Sequence, residues 1–210
     1  MPFQTVVRRN FTTGFPGDIV RDGPTRAVTA RISALTPTKD SDPRNQGNRV
    51  SRVFGYTGEI PVSGTTLAAM VPTVEIGGAA FAGLLMHPKH HVLSGSPTGG
   101  TLAPSLNLPY GVEAEFFNML TGGVVEILNN TAATVTINPG DSLAYVANTI
   151  VSASEPLGLP YGAIVPFPAG STLPAGFLPI PSAIVLNSIT LAASAVGAIV
   201  AGLTIVQLTQ

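Results

Sequence analysis

Between about residues 51 and 150 the chain alternates short apolar runs rich in Val, Ile, Phe and Tyr with closely spaced Gly, Pro, Asn and Asp. That rhythm predicts an all-β sandwich or barrel, and the lack of long amphipathic periodicity predicts very little helix. The clearest local case is residues 124–128, then Asn129-Asn130, then residues 133–137. Paired asparagines tolerate the positive φ that a tight hairpin demands. Asn138-Pro-Gly-Asp141 then turns the chain into residues 142–146. Three antiparallel strands in a meander are expected there, preceded by a strand over residues 112–120.

The two ends differ from this middle. Residues 1–50 contain most of the basic side chains and the polar stretch 36–48, and read as an extended basic arm and loop. Their first residues lack the apolar core of a secretory signal, so no such export is expected. Residues 151–182 carry Pro156, Pro160, Pro166, Pro168, Pro174, Pro179 and Pro181. Each proline removes a backbone donor, so a central strand is not expected there. Residues 183–206 form a charge-free run of 24 residues, longer than the roughly 20 that a membrane helix needs. Polar Asn187, Ser188, Thr190, Ser194 and Thr204 interrupt it, no Lys or Arg flanks it, and residues 188–191 and 203–208 alternate. Two strands paired across a break at 194–197 fit better than a membrane span, completing sheets with sister copies. The chain thus divides into an arm (1–50), a β-sandwich (51–150) and a Pro-rich segment with apolar C-terminal strands (151–210).

Composition sharpens the picture. Only 10% of residues are charged and 45% are hydrophobic, against about 25% charged in ordinary soluble domains, so the surface is largely neutral. With no Cys, disulfides, Cys-ligated zinc, iron–sulfur clusters and thiol catalysis are excluded. The net charge of -1 hides an asymmetry: ten basic and six acidic residues lie at or before Lys89, and five acidic residues but no basic one follow it. A split of this kind suits docking of the basic segment onto an acidic neighbour or another copy. Arg8, Arg9, Arg21, Arg26 and Arg31 are the candidate contacts. Nucleic acid is disfavoured, because the arginines are spaced out with Asp between them and few aromatics accompany them.

Motifs for chemistry are weak. His87, His90 and His91 invite a metal reading, yet Pro88 breaks the local geometry and no acid follows until Glu113; they read as surface or interface histidines. Glu113 and Glu115 share one face of a strand and read as a solvated face, since nothing identifies the opposed acid of a glycosidase. The glycines at 95–101 fit neither a P-loop nor a nucleophile elbow. No motif supports isopeptide or hydrolytic chemistry. No catalytic residue, metal or cofactor is expected.

Several stretches do have a familiar form. Gly83-Leu-Leu-Met-His-Pro-Lys89, Gly100-Thr-Leu-Ala-Pro104, Glu115-Phe-Phe-Asn-Met-Leu120 and Pro139-Gly-Asp-Ser-Leu-Ala-Tyr145, with Gly17-Asp18 and Asp22-Gly-Pro-Thr-Arg-Ala27 in the arm, resemble the capsid cement, or head decoration, proteins of tailed bacteriophages. The resemblance implies a jelly-roll-like β-sandwich on the outer surface of the shell that bridges neighbouring major capsid subunits. It implies the major capsid protein and other copies of the chain, as dimer or trimer, as partners, with no enzyme activity, nucleic acid or membrane. Another virion shell or appendage protein, and a β-sandwich carbohydrate-binding module or enzyme, are the alternatives.

Overall fold

The computed structural model describes residues 16–21, 23–61, 70–86, 107–149, 158–167, 172–195 and 198–209. In chain order these form β1 (Arg26–Ile32), the single-turn α1 (Pro37–Asp40), β2 (Asn48–Arg49), β3 (Val53–Pro61), β4 (Met70–Ile76), β5 (Ala80–Leu85) and β6 (Asn107–Leu108). The long β7 (Glu113–Asn129) follows, then β8 (Val135–Ile137), β9 (Ser142–Val146), β10 (Ile164–Phe167), β11 (Phe177–Pro179), β12 (Ala183–Val185), β13 (Ile189–Leu191) and β14 (Val200–Leu208). The expectation of an all-β chain holds, and among the described residues no helix is long and apolar enough to cross a membrane. The charge-free C-terminal run lies in β12, β13 and β14.

Two assemblies share β7. Its first half closes a ring in the order β1, β4, β3, β5, β7 and back to β1. Ala27 to Arg31 pair with Phe117 to Glu113 on one side, and Leu84 and Leu85 pair with Phe117 and Phe116 on the other. Strand alternation sends Ala30, Ile32, Phe54, Val74, Ile76, Leu85, Ala114 and Phe116 inward to a common core, where the Phe54 and Phe116 rings lie 4.9 Å apart. Thr29, Arg31, Glu113 and Glu115 face outward. Gly83 permits the closure: at φ +155° a Cβ there would lie 2.8 Å from the Phe117 carbonyl oxygen.

The second half of β7 is central to an open sheet, flanked by β14 and β12 on one side and by β10, β9 and β11 on the other. Both faces of β9 and of this half of β7 are covered, so these two strands read as nearly continuous apolar runs. Leu128, Ala144, Val146 and Val165 join the ring's core. Val125, Ile127, Leu143, Tyr145, Ile164 and Val206 build a second core with Ile137, Ile180 and Leu191.

This arrangement corrects several expectations. Jelly-roll pairing is antiparallel throughout, whereas β1 and β4 run parallel through Arg31↔Thr73 and Ile32↔Val74 and complete a ring. The meander does not form either, since β8 pairs with β13 and β9 with β10 and β11. The asparagines explain the departure. Asn129 Nδ2 donates to the Ala133 and Ala192 carbonyls, and its Oδ1 accepts from the Thr131 N–H and hydroxyl, so the chain is tied into a local side-chain turn instead of a hairpin. The neighbouring edge of β7 is meanwhile taken by β14 from Leu120 to Asn129. β13 and β14 are therefore strands but not partners of each other, and β14 completes its own chain's sheet. Within the proline-rich segment, β10 lies between β7 and β9. Its bridge to β7 is limited to Ile164↔Ile127. Pro166 lies beyond that bridge, where β10 pairs with β9 alone and a missing N–H is tolerated.

The described part of the expected arm is folded onto the body. Beyond β1, Gly17 and Val20 donate to the Val124 and Gly122 carbonyls, and Val124 donates to the Asp18 carbonyl.

Candidate interaction surface

Of the five candidate arginines, Arg8 and Arg9 lie outside the described residues. Arg21, Arg26 and Arg31 are all exposed but do not converge. Arg21 runs past Gly122, and Arg26 Nε donates to Asn118 Oδ1 at 2.9 Å. Arg31 stands directly across from Glu113 in the β1–β7 ladder. It borders an open cleft of about 430 Å³ with Ile32, Ser33, Ile60, Thr73 and Tyr110. Glu113 and Glu115 share the exposed face that their spacing requires. His87, His90 and His91 lie outside the described residues.

The polar stretch 36–48 contains features that spacing did not reveal. Arg44 donates from Nε and Nη2 to the two Asp42 carboxylate oxygens at 3.0 and 2.8 Å. Its guanidinium lies 4.9 Å from the centre of the Tyr161 ring, and Nη2 donates to the Tyr161 hydroxyl at 3.2 Å. The Arg44 bonds hold the Asp42 carboxyl well below the usual carboxylate range, while burial and then the Asp42 contact push Tyr161 up to about 12. Tyr110 donates to Asp40 Oδ1, and Lys39 Nζ reaches Glu75 at 2.8 Å and Asn148 at 3.0 Å. The loop expected to be extended is thus latched to the ring. Only the Asp42-x-Arg44 spacing hinted at this, because the other partners are distant in sequence.

Three more features complete the surface. Beyond Tyr56, β3 and β4 continue as a ribbon whose Tyr56 and Met70 are 36% and 46% exposed. An apolar groove of about 370 Å³ is lined by Leu128, Val135, Val165, Phe167, Leu173 and Phe177. Beneath the surface, Arg52 is 2% exposed and donates from Nη2 to Glu126 Oε2 at 2.8 Å, and burial lowers its pKa. Its Nε and Nη1 have no partner among the described residues. No group of three or more His, Asp or Glu that could hold a metal occurs among the described residues.

Among the described residues no site for substrate chemistry emerges; what they offer is ribbon, groove and strand surface. A family model described as structural cement protein (E217 gp24/Pam3 gp6) matches residues 3–209. The chain belongs to the phage structural cement protein family. As a cement protein it is a structural component of the virion capsid. Its match takes in the N-terminal segment and β14 alike. Among solved structures, the capsid of Myoviridae phage XM1 contains a chain similar over 100% of this one and 99% of its own length, at 14% identity and a TM-score of 0.47. No curated protein matches.

Proposed function

We propose that the protein binds the outer surface of a phage head and clamps neighbouring major capsid subunits through non-covalent contacts, without enzymatic activity. The observation that carries this reading is the cement-family match across residues 3–209. Arg8, Arg9, Arg21, Arg26 and Arg31 meet acidic groups on the major capsid protein or on another copy, in a dimer or trimer. The apolar groove and the exposed β3–β4 ribbon, which carries Glu59 beside Tyr56 and Met70, supply contact area of a kind that proteins normally cover with partners. Strength comes from repetition: each contact is offset in large part by association entropy, and several linked attachment points keep a copy in place when one lets go.

Purified heads with and without the protein test this under heat and osmotic shock. Stoichiometric occupancy, cryo-EM density outside the shell and earlier rupture of bare heads are expected. Equal survival of both would remove the clamping role, and density inside the shell or on the tail would remove the location.

A further inference from the structure

Lys39 and Glu75 come from α1 and β4, and Asn148 lies just past the end of β9; Glu75 and Asn148 are 36 and 109 residues from Lys39 in the chain. Lys39 Nζ lies 2.8 Å from Glu75 Oε1 and 3.0 Å from Asn148 Oδ1. Asn148 is 1% exposed. Its Nδ2 donates to the Ile76 carbonyl at 2.7 Å and its backbone N–H to the Gly77 carbonyl at 2.8 Å, so the carboxamide is fixed from both ends. The Lys39 and Glu75 side chains are 20% and 14% exposed. One amine thus touches a carboxamide and a carboxylate at once, and all three groups are largely out of water. Such placement converts an unfavourable encounter into an intramolecular one, and the low local dielectric strengthens every charge interaction within it.

We propose that Lys39 and Asn148 join in an intramolecular isopeptide bond, with Glu75 as the proton shuttle. Glu75 takes a proton from the Lys39 ammonium across their contact, and the neutral Nζ attacks Asn148 Cγ. The Nζ–Cγ bond forms and the Cγ–Nδ2 bond breaks. Two protons travel from Nζ to Nδ2 by way of Glu75, ammonium departs, and Glu75 returns to the carboxylate it began as. No oxidant, reductant or cofactor takes part. In a chain without Cys, the bond supplies the cross-link that a disulfide would otherwise provide, closing a long loop and restricting the unfolded chain. It lies within one chain, so it is independent of how the protein attaches to a capsid.

Mass spectrometry of the denatured full-length protein, followed by peptide mapping, tests the bond. The expected mass is lower than the sequence mass by one ammonia, and digestion yields a branched peptide joining the Lys39 and Asn148 segments. Lys39→Arg and Glu75→Gln each restore the sequence mass. A wild-type protein at its sequence mass overturns the proposal. So does an ammonia loss that persists in Lys39→Arg without a branched peptide, which marks a succinimide instead. The wild-type peptide map decides the matter even where a variant fails to fold.

Discussion

Arg52 and Glu126 form an ion pair whose two halves differ in what their removal leaves behind. Glu126→Ala strands a guanidinium that is only 2% exposed, and an uncompensated buried charge costs about 3–5 kcal/mol. Arg52→Met leaves a carboxylate whose side chain is 22% exposed and can be hydrated. It loses one charge-assisted bond, about 1.5–3 kcal/mol, but it also removes two N–H-bearing atoms without partners among the described residues, at about 1–3 kcal/mol for each unsatisfied group. Two such groups come to about 2–6 kcal/mol, so the balance is centred about 2 kcal/mol in favour of the variant. Urea unfolding separates the two cases. With a slope of about 2–3 kcal/mol per molar, the Glu126→Ala midpoint falls by about 1–2.5 M, while that of Arg52→Met holds or rises. Equal losses in the two variants would refute the reasoning, because they would mean that the Arg52 guanidinium is fully satisfied where it sits.

Asp42→Asn is expected to destabilise by about 1.5–3 kcal/mol at neutral pH, the range for a hydrogen bond to a charged group. Arg44 holds the Asp42 pKa below its ordinary 3.8, so the stabilisation is complete above that value and fades as pH falls below it. Melting both proteins from neutral to strongly acidic pH should show the gap closing only in acid. Gly162→Ala forces a side chain onto a residue at φ +69° and brings its Cβ 2.5 Å from the Val53 carbonyl oxygen; a loss of at least about 2 kcal/mol is expected by chemical denaturation. Single changes at Arg21, Arg26 or Arg31 should barely alter capsid occupancy, since exposed pairs contribute about 0–1 kcal/mol each. The triple Ala variant should lower occupancy in a salt-dependent way, measured by quantifying protein on purified heads.

Strand existence is legible where turn residues or alternation mark it: the turn at 138–141 leads into Ser142–Val146, the alternating run 203–208 lies in Val200–Leu208, and Glu113 and Glu115 take the shared exposed face that their spacing requires. Pairing was not legible, because a strand's partner is fixed by distant residues. Nothing near Asn129 announces that its amide will hold Ala192, 63 residues away. Pro166 argued against a central strand by a sound local rule, but the rule has no force once the β7 bridge has ended. The polar stretch 36–48 reads as extended because its composition is that of a loop. Its anchors, Glu75, Asn148 and Tyr161, are remote in the chain, and for the same reason the contact among Lys39, Glu75 and Asn148 has no sequence motif.

The two flanks of β7 at Gly123 also have a mechanical meaning. Ile19 bridges Gly123 antiparallel, and Val206 pairs antiparallel with the same residue on the opposite edge. The chain entering at Gly17 therefore arrives from the high-numbered end of β7, and the chain leaving at Leu208 departs toward the low-numbered end. Traction that draws those two segments apart acts along the strand axis, in opposite directions on opposite edges of one strand. The hydrogen bonds on each edge are then loaded together in shear, and no single bond at an end is peeled first. Under the clamping role proposed above, attachment through those two segments would set the load of a swelling head along this axis.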